Sequence, residues 1–343
     1  MTINPATARR VARVTAAGGP DVIGIVEETL APLAPGDVRV RVEAVGLNHV
    51  ESLARSGTYS IRMPFPYDAG IEGAGVVVDA APDAALATGT RVCWTAIPGS
   101  CGTYLTAPAA RLARLPDRLT FDDGASLAHA ALTAVGLLRH WPLAAGSTAV
   151  VWGAAGAVGR ALVAHLGARG VIVIGIASGD RVTRVTAAGA AHVVNRCAAS
   201  VTETVRGLTT GRGVDAVFDP IGAATYTTSL SLLAPRGCLV NYGHLSGELP
   251  PVDLQDLMNA GSCFVTKYGP RAGVMTMAEI PGVIEETLAL ATSRAIVSDV
   301  AGRFPLDRAA EAYRAMDAGA SGKILVRPQE RDEADGRPTA CAR

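Results

Sequence analysis

The sequence predicts an α/β fold in which a β-rich first part precedes a doubly wound parallel sheet. Residues 10–45 alternate apolar and polar side chains, and residues 39–45 keep the strict period of two that a half-buried strand requires. After Phe121 the pattern changes, because short continuous apolar runs alternate with helix-like stretches. That alternation is typical of strands buried on both faces of a parallel sheet. A chain of 343 residues has room for about two domains.

The individual elements follow in chain order. Val-rich runs over residues 70–80 and 90–95, with glycines at the tight points, complete an irregular β-rich barrel. A helix is predicted over residues 127–140. The parallel sheet then takes its strands from residues 147–152, 171–176, 216–218, 238–241 and 263–266, with helices at 160–167, 200–208 and 224–233. A helix over 278–293 and a strand over 323–326 come last.

Composition argues against several classes of protein. The 31 basic and 31 acidic residues cancel, which disfavours a broad electrostatic contact with nucleic acid or an anionic membrane. No uncharged apolar run reaches the roughly 18 residues of a membrane span, and no secretory signal is recognisable. The six cysteines are scattered without a C-x-x-C pair, so we expect a cytoplasmic protein without a disulfide scaffold. Residues 329–343 are charged and turn-rich, which predicts a disordered tail.

The strongest local signal is the segment Gly-Ala-Ala-Gly-Ala-Val-Gly at residues 153–159, between a buried strand and a helix. Small residues let the backbone approach a pyrophosphate, and the helix N-terminus offers N–H groups and the positive end of a dipole. Gly159 would let the helix pack closely on the strand. We therefore predict dinucleotide binding rather than a glycine-rich turn that only packs. The expected contacts are Ala155, Gly156, Ala157 and Val158.

The end of the next strand indicates which dinucleotide is bound. An NAD-binding strand of this kind usually ends in Asp or Glu, which binds the ribose hydroxyls. Here the strand is followed by Ser178, and Arg181 comes three residues later. A serine can donate to a 2′-phosphate and an arginine can pair with it. The sequence therefore favours NADP(H) over NAD(H), against the alternative of an ordinary solvated loop.

With this turn in place, the chain resembles the medium-chain dehydrogenase/reductase superfamily, and most closely its zinc-independent quinone oxidoreductase branch. The likeness runs from about residue 10 to 327 and depends on the order and spacing of several short segments. These segments are residues 45–48, 56–59, 70–77, 131–134, 219–222, 239–243 and 322–325.

The resemblance implies a particular domain organisation. A GroES-like catalytic domain would occupy residues 1–127 and 269–328, and a Rossmann NADPH-binding domain would interrupt it at residues 128–268. The active site of the family lies in the cleft between these domains. The last Rossmann strand, residues 262–268, commonly pairs with its copy in a second subunit, so we expect a homodimer.

The departures from the zinc-containing relatives are informative. Those relatives hold a catalytic metal with a Cys, a His and a further Cys at positions that match Asn48, Ile71 and Ala128 of this chain. A zinc site needs three protein ligands around an open position. We therefore expect no metal, and His49 alone is better explained as a packed or surface residue.

The resemblance implies that NADPH delivers hydride to a quinone or to an activated C=C bond such as that of an enone. Tyr59 is the candidate proton donor, and its alternative role is to line the substrate pocket. Asn48 resembles the residue that contacts the nicotinamide ribose or a substrate carbonyl, and its alternative role is to form a turn. Thr133 is a candidate contact at the nicotinamide end. Glu72 is expected to be a structural hydrogen-bonding residue.

Further candidate cofactor contacts follow strand ends or lie in the family segments. They are Gly222, Tyr242, Gly243, His244, Lys267 and Lys323. His244 is either a hydrogen-bond donor to the substrate or an exposed loop residue. The two lysines stand out because the other 29 basic residues are arginines.

Three functions remain open from the sequence. The first is an NADPH-dependent reductase of quinones or enones. The second is an enoyl-thioester reductase, or a tailoring reductase that acts on a biosynthetic intermediate. The third, from a different class, is a protein that binds NADPH without turnover.

Overall fold

The computed structural model describes residues 8–58, 63–269, 273–293, 298–320 and 322–329. The chain divides into two compact units. Unit 1 contains residues 1–129, 280–285 and 298–343, and unit 2 contains residues 130–279 and 286–297. Unit 2 thus begins at Ala130, within a helix, whereas the predicted Rossmann domain begins at residue 128 and ends at residue 268.

The described part of unit 1 is mainly β-structure, as its alternating sequence predicts. Its strands are β1 (Ala8–Val14), β2 (Ile23–Thr29), β3 (Asp37–Gly46), β4 (Tyr67–Asp68), β5 (Gly73–Ala80), β6 (Arg91–Trp94), β7 (Tyr104–Pro108), β8 (Ala113–Arg114), β15 (Val300–Pro305) and β16 (Lys323–Arg327). Its helices are α1 (His49–Ser56) and α9 (Ala309–Asp317).

These strands form two sheets among the described residues. One has the order β2-β1-β4, and the other has the order β15-β16-β3-β5-β6-β8, with β7 also paired to β3. The long strand β3 pairs antiparallel with β5, β7 and β16, so it is the centre of the unit. Its buried side chains Val38, Val40 and Val42 pack in one core with Leu105 and Trp94.

Unit 2 alternates strands and helices. Its strands are β9 (Thr148–Val151), β10 (Ile172–Ala177), β11 (His192–Asn195), β12 (Val214–Asp219), β13 (Leu233–Asn241) and β14 (Phe264–Lys267). The helices between them are α3 (Ala157–Ala168), α4 (Val182–Ala187), α5 (Val201–Leu208), α6 (Tyr226–Leu232) and α7 (Leu254–Asn259). Two further helices, α2 (Phe121–His140) and α8 (Ile280–Ser293), contribute residues to both units.

Within the described residues, the strands of unit 2 form one sheet in the order β11-β10-β9-β12-β13-β14, and every pairing is parallel. The order reverses direction around β9, which is the doubly wound arrangement that the sequence predicts. Apolar side chains such as Val150, Ile174 and Leu239 are almost completely buried. The predicted fold class is therefore confirmed.

The helix α2 begins earlier than the predicted residue 127. Thr120 and Asp123 cap each other across its first turn: the N–H and hydroxyl of Thr120 donate to Asp123 Oδ2 at 2.9 and 2.6 Å, and the Asp123 N–H donates to Thr120 Oγ1 at 3.2 Å. Reciprocal caps of this kind mark a helix start. In the described part of the chain, no helix is both long and apolar enough to cross a bilayer.

Candidate functional site

The predicted phosphate-binding turn lies at the carboxyl end of β9. Gly153 has a φ of 62°, in the left-handed region that favours glycine. The helix α3 begins at Ala157 after the N-cap residue Gly156, and the first N–H groups of a helix have no partner within it. A Cβ atom on Gly159 would collide with the Gly153 carbonyl oxygen and lie 2.7 Å from the Cα atom of Ala154. Only glycine therefore allows α3 to pack this closely on the turn.

A hydroxyl and a guanidinium meet where β10 and β11 end. Ser178 follows β10, and the Nε atom of Arg196, which follows β11, donates to its Oγ atom at 2.6 Å. The Arg196 N–H also donates to the Ala177 carbonyl at 3.0 Å. Arg181, which ends the short turn after Ser178, is half-buried. Arg196 is the residue that the sequence analysis missed here, although it directly follows the apolar run of β11.

The loops after β12 and β13 are held together by Asp219, the buried last residue of β12. Its carboxylate accepts four hydrogen bonds, from the N–H groups of Ile221 and Gly222 and from the hydroxyls of Thr225 and Ser229. Its carbonyl accepts the N–H of Tyr242 at 3.0 Å. The structure therefore brings the predicted residues Gly222, Tyr242, Gly243 and His244 to one place.

Two other predicted contacts share a carboxylate. Lys267, the last residue of β14, forms an ion pair with Glu248. Nδ1 of His244 lies 3.6 Å from the other carboxylate oxygen of Glu248.

Burial and the nearby Asp219 raise the pKa of the Tyr242 phenol above its usual value, so this phenol remains protonated at neutral pH. Because β9, β10, β12, β13 and β14 are parallel, these groups all lie along one edge of the sheet.

Thr133 lies on α2, away from these strand ends in sequence, and its side chain is half-buried. Tyr59 lies outside the described residues. Its predicted role as proton donor therefore stays a prediction.

In unit 1, Asn48 belongs to a charged network with two residues that are distant in sequence. The Lys323 ammonium donates to Asn48 Oδ1 at 2.8 Å and to Glu72 Oε2 at 2.6 Å. The Asn48 amide nitrogen donates to Glu72 Oε2 at 3.0 Å and to the Gly46 carbonyl at 3.1 Å. Glu72 is completely buried and also accepts the His129 N–H at 2.6 Å. Glu72 thus forms the hydrogen bonds that the sequence analysis expects of it, and its purely structural role stays a prediction.

The network depends on the close packing of Lys323 and Glu72 against the backbone at Gly46. A Cβ atom there would lie 2.6 Å from Lys323 Cε and 2.8 Å from Glu72 Oε2, and it would collide with the Ala125 carbonyl oxygen. Burial also lowers the pKa of His129, whose Nδ1 atom lies 3.0 Å from the Thr95 hydroxyl. The imidazole is therefore neutral at pH 7.

A second buried carboxylate, Glu51, lies on α1 next to this network. It accepts the Asn48 N–H at 3.0 Å, the Gly70 N–H at 3.1 Å and the Tyr313 hydroxyl at 2.6 Å. Burial raises its pKa from 4.5 to about 7, and the hydrogen bonds from Tyr313 and Asn48 together with the charge of Lys323 only partly offset this effect. Because the folded protein binds this proton more tightly than the unfolded chain, the free energy of unfolding falls as pH rises between these two values.

The positions that bind zinc in the relatives carry no ligand set in this chain. Asn48, Ile71 and Ala128 occupy them. Among the described residues, no group of three or more His, Cys, Asp or Glu side chains could hold a metal ion.

Comparison with known proteins gives the family. The chain matches the alcohol dehydrogenase GroES-like domain over residues 34–117 and the zinc-binding dehydrogenase domain over residues 157–286. It is 32% identical to a quinone oxidoreductase of Pseudomonas aeruginosa, over 91% of this chain and 96% of that protein. The chain belongs to the medium-chain dehydrogenase/reductase superfamily, in its quinone oxidoreductase branch. As a member of this branch it is an NADPH-dependent oxidoreductase with a small-molecule substrate.

Two more relatives are informative. A 2-haloacrylate reductase of a Burkholderia species is 32% identical, over 91% of this chain and 97% of that protein. The structure of an Escherichia coli quinone oxidoreductase complexed with NADPH is 28% identical and superposes with a TM-score of 0.80, covering 93% of this chain and all of that one.

The residues of unit 2 fit NADPH. The turn at residues 153–159 leaves no room for a Cβ atom at Gly159, as expected where the helix that follows a pyrophosphate-binding turn packs closely on the strand. The end of β10 carries Ser178 and the Arg196 guanidinium in place of an acidic residue. A hydroxyl and a cation are the groups that a 2′-phosphate requires, and a carboxylate would repel it.

Proposed function

We propose that this NADPH-dependent oxidoreductase reduces quinones or the activated C=C bonds of enones without a metal ion. The observation that carries the proposal is the identity of the residues at the metal-binding positions of the relatives. Asn48 is engaged there by Lys323 and Glu72, and Ile71 and Ala128 offer no donor atoms. A reaction that needs no Lewis acid is the chemistry that such a site supports.

The cofactor, when bound, supplies the hydride. Unit 2 would hold its pyrophosphate at the backbone of Ala155, Gly156, Ala157 and Val158, and its 2′-phosphate at Ser178, Arg181 and Arg196. The remaining contacts along the same sheet edge would come from Gly222, Tyr242, Gly243, His244 and Lys267. On this view Thr133 of α2 and Asn48 of unit 1 contact the nicotinamide end.

Reduction of a C=C bond requires a proton as well as a hydride, because hydride addition to the β-carbon leaves an enolate. We propose that Tyr59 donates this proton, since a phenol is neutral and a donor at pH 7. Quinone reduction depends less on a positioned donor, because the product oxygens can be protonated by solvent.

The names of the relatives support both acceptors. Several are quinone oxidoreductases, and 2-haloacrylate, the substrate named for another, contains an activated C=C bond. An enoyl thioester has the same conjugated C=C–C=O unit, so an enoyl-thioester or tailoring reductase is the second candidate.

The test is the loss of NADPH absorbance with 1,4-benzoquinone, methyl vinyl ketone and a crotonyl thioester as separate acceptors. We expect turnover with at least one of the first two. Preference for the thioester would favour the second candidate. Tight NADPH binding without turnover on any acceptor would overturn the proposal in favour of a non-catalytic NADPH-binding protein.

The role of Tyr59 has its own test. Tyr59→Phe should reduce enone turnover strongly and quinone turnover weakly, because only the enolate carbon formed from the enone needs a positioned proton donor. Equal effects on the two acceptors would contradict the proton-donor role.

We further propose a homodimer formed through β14. This strand is at the edge of the six-stranded sheet formed by the described residues of unit 2, and Phe264 on it is 44% exposed. An apolar edge strand offers unpaired backbone groups to a second copy of itself. Light scattering should give the dimer mass, and a monomeric mass would refute the proposal.

A further inference from the structure

A pocket in unit 2 opens at the edge of the sheet opposite the glycine-rich turn. Its lining includes Thr148, Ile172 and His192, which are the first residues of the neighbouring strands β9, β10 and β11. It also includes Gly213, which directly precedes β12. Because these strands are parallel, their first residues lie along the amino edge, whereas the proposed cofactor contacts follow the carboxyl ends. All lining residues belong to unit 2, and none of them is a proposed cofactor contact.

The segment between α5 and β12 closes the pocket, and hydrogen bonds hold this segment in place. The Gly213 N–H donates to the Thr209 hydroxyl at 3.1 Å, and that hydroxyl donates to the Val205 carbonyl at 2.9 Å. The Arg206 guanidinium on α5 donates to the Gly211 carbonyl at 2.7 Å. A wall that is already ordered loses little conformational freedom when a ligand binds, so the pocket is preorganised.

The lining contains apolar side chains that the fold leaves uncovered. Ile172 is 42% exposed and Leu208 is 41% exposed, although both are large hydrophobic residues. Ile174 also lines the pocket, on the same face of β10 as Ile172. Single exposed apolar residues are normal on protein surfaces, but these residues converge on one concavity. Its volume is about 220 Å³, or that of roughly seven water molecules in the liquid. The pocket therefore suits a small apolar group.

One cation, Arg212, lies beside these apolar walls and is fixed by Asp215. The Arg212 guanidinium donates to Asp215 Oδ1 at 2.5 Å, and Asp215 Oδ2 accepts the Thr148 N–H at 2.8 Å. In the described part of the chain the guanidinium bonds only to Asp215, and 58% of the Arg212 side chain is exposed. It can therefore donate to an anion as well. Since Asp215 offsets its charge and would repel a second negative charge, the anion that fits is a monoanion.

We propose that this pocket binds a small monocarboxylate, with its carboxylate on Arg212 and its short hydrocarbon tail against Ile172 and Leu208. The planar guanidinium matches the two oxygens of a carboxylate. Both halves of the ligand are needed, because a carboxylate without a tail leaves the apolar walls in water and a tail without a charge leaves Arg212 without its anion. The inference is independent of the proposed reductase activity, since it uses no residue of the proposed active site.

The test is an NMR titration of the NADPH-saturated protein with hexanoate, so that the cofactor site is already filled. Isoleucine methyl groups are labelled with ¹³C, and Ile172→Val identifies the Ile172 signal. We expect this signal to shift along a saturable curve with a Kd of about 1 mM. A signal that does not move, or that moves without saturation, would overturn the proposal.

Three further ligands test the chemical class. Acetate lacks the tail and 1-hexanol lacks the charge, so each should bind at least about tenfold more weakly than hexanoate. Hexyl phosphate carries about two negative charges at pH 7 and should also bind more weakly. Tighter binding of hexyl phosphate would assign the pocket to phosphate esters, and equal binding of 1-hexanol would show that Arg212 plays no part. Either result would overturn the proposal.

Two variants test the residues. Arg212→Met should weaken hexanoate binding at least about tenfold, because it removes a hydrogen bond between charged groups. Leu208→Gln should weaken it at least about threefold, because it removes apolar contact. Both side chains are exposed enough to be replaced without loss of the fold. The matched control is Arg314→Met, which removes an ion-paired arginine of unit 1 with 53% of its side chain exposed.

The control variant should bind hexanoate as the parent protein does. Unchanged binding in Arg212→Met, or an equal loss in the control, would overturn the proposal. The titration needs no turnover, so its outcome is separate from that of the acceptor assays.

Discussion

The close packing of α3 on the phosphate-binding turn can be tested by Gly159→Ala. The added Cβ atom would meet backbone atoms of Gly153 and Ala154, which cannot rotate away as a side chain could. To bring the 2.7 Å distance to Ala154 Cα up to an ordinary contact of roughly 3.5 Å, the helix must move by about 0.8 Å. Overpacking of this kind costs about 1–3 kcal/mol of stability.

The same displacement would move the first N–H groups of α3 away from the position that we propose for the pyrophosphate. Misplacement of a binding group by about 1 Å can reduce function by roughly 100-fold. We therefore expect Gly159→Ala to weaken NADPH binding by at least about tenfold, or about 1.4 kcal/mol, in a fluorescence titration.

The matched control lies in the same unit. Gly207 is near the end of α5, and a Cβ atom there would meet nothing within 4 Å. Gly207→Ala should therefore leave NADPH binding unchanged and stabilise the protein by up to about 1 kcal/mol, because alanine loses less backbone entropy than glycine on folding. Unchanged binding and unchanged unfolding temperature in Gly159→Ala would refute the reasoning from close packing.

Three further predictions concern pH, cofactor selectivity and assembly. As pH rises from 4.5 to 7, the free energy of unfolding of the parent protein should fall by up to about 3 kcal/mol relative to that of Glu51→Gln in urea titrations; an equal pH dependence in both proteins would count against Glu51. Arg196→Met should weaken NADPH binding about tenfold and change NADH binding less than twofold, because only NADPH carries the 2′-phosphate. Equal losses of affinity for the two cofactors would count against this contact. Phe264→Asp should shift the proposed dimer to monomer in light scattering, because a charge on the edge strand opposes pairing; a dimer of undiminished stability would place the interface elsewhere.

The fold was predictable because its signals are local. The glycine turn, the strand before it and the helix after it lie within about 20 consecutive residues, and apolar runs mark the other parallel strands. The start of α2 was missed because periodicity begins late in that helix. The spacing of Thr120 and Asp123, which cap each other, is the signal that could have located it.

The site was less predictable because its contacts are long-range. Lys323 and Asn48 are 275 residues apart, and Tyr313 and Glu51 are 262 apart. The resemblance to the family could mark Asn48 and Lys323 separately but could not show that they bond to each other. Arg196 was missed for a similar reason, since its approach to Ser178 depends on the pairing of β10 with β11.

The scarcity of lysine gives this protein an unusual chemical selectivity. Amine-reactive reagents modify accessible, unprotonated amines, and the chain offers them only two lysine side chains. Lys323 is enclosed with 10% of its side chain exposed, whereas 49% of the Lys267 side chain is exposed at the end of β14. Once the more acidic α-amino group is blocked, a dye or surface tether can therefore be attached through Lys267 without an engineered residue, and its reactivity would report on whether the end of β14 is covered.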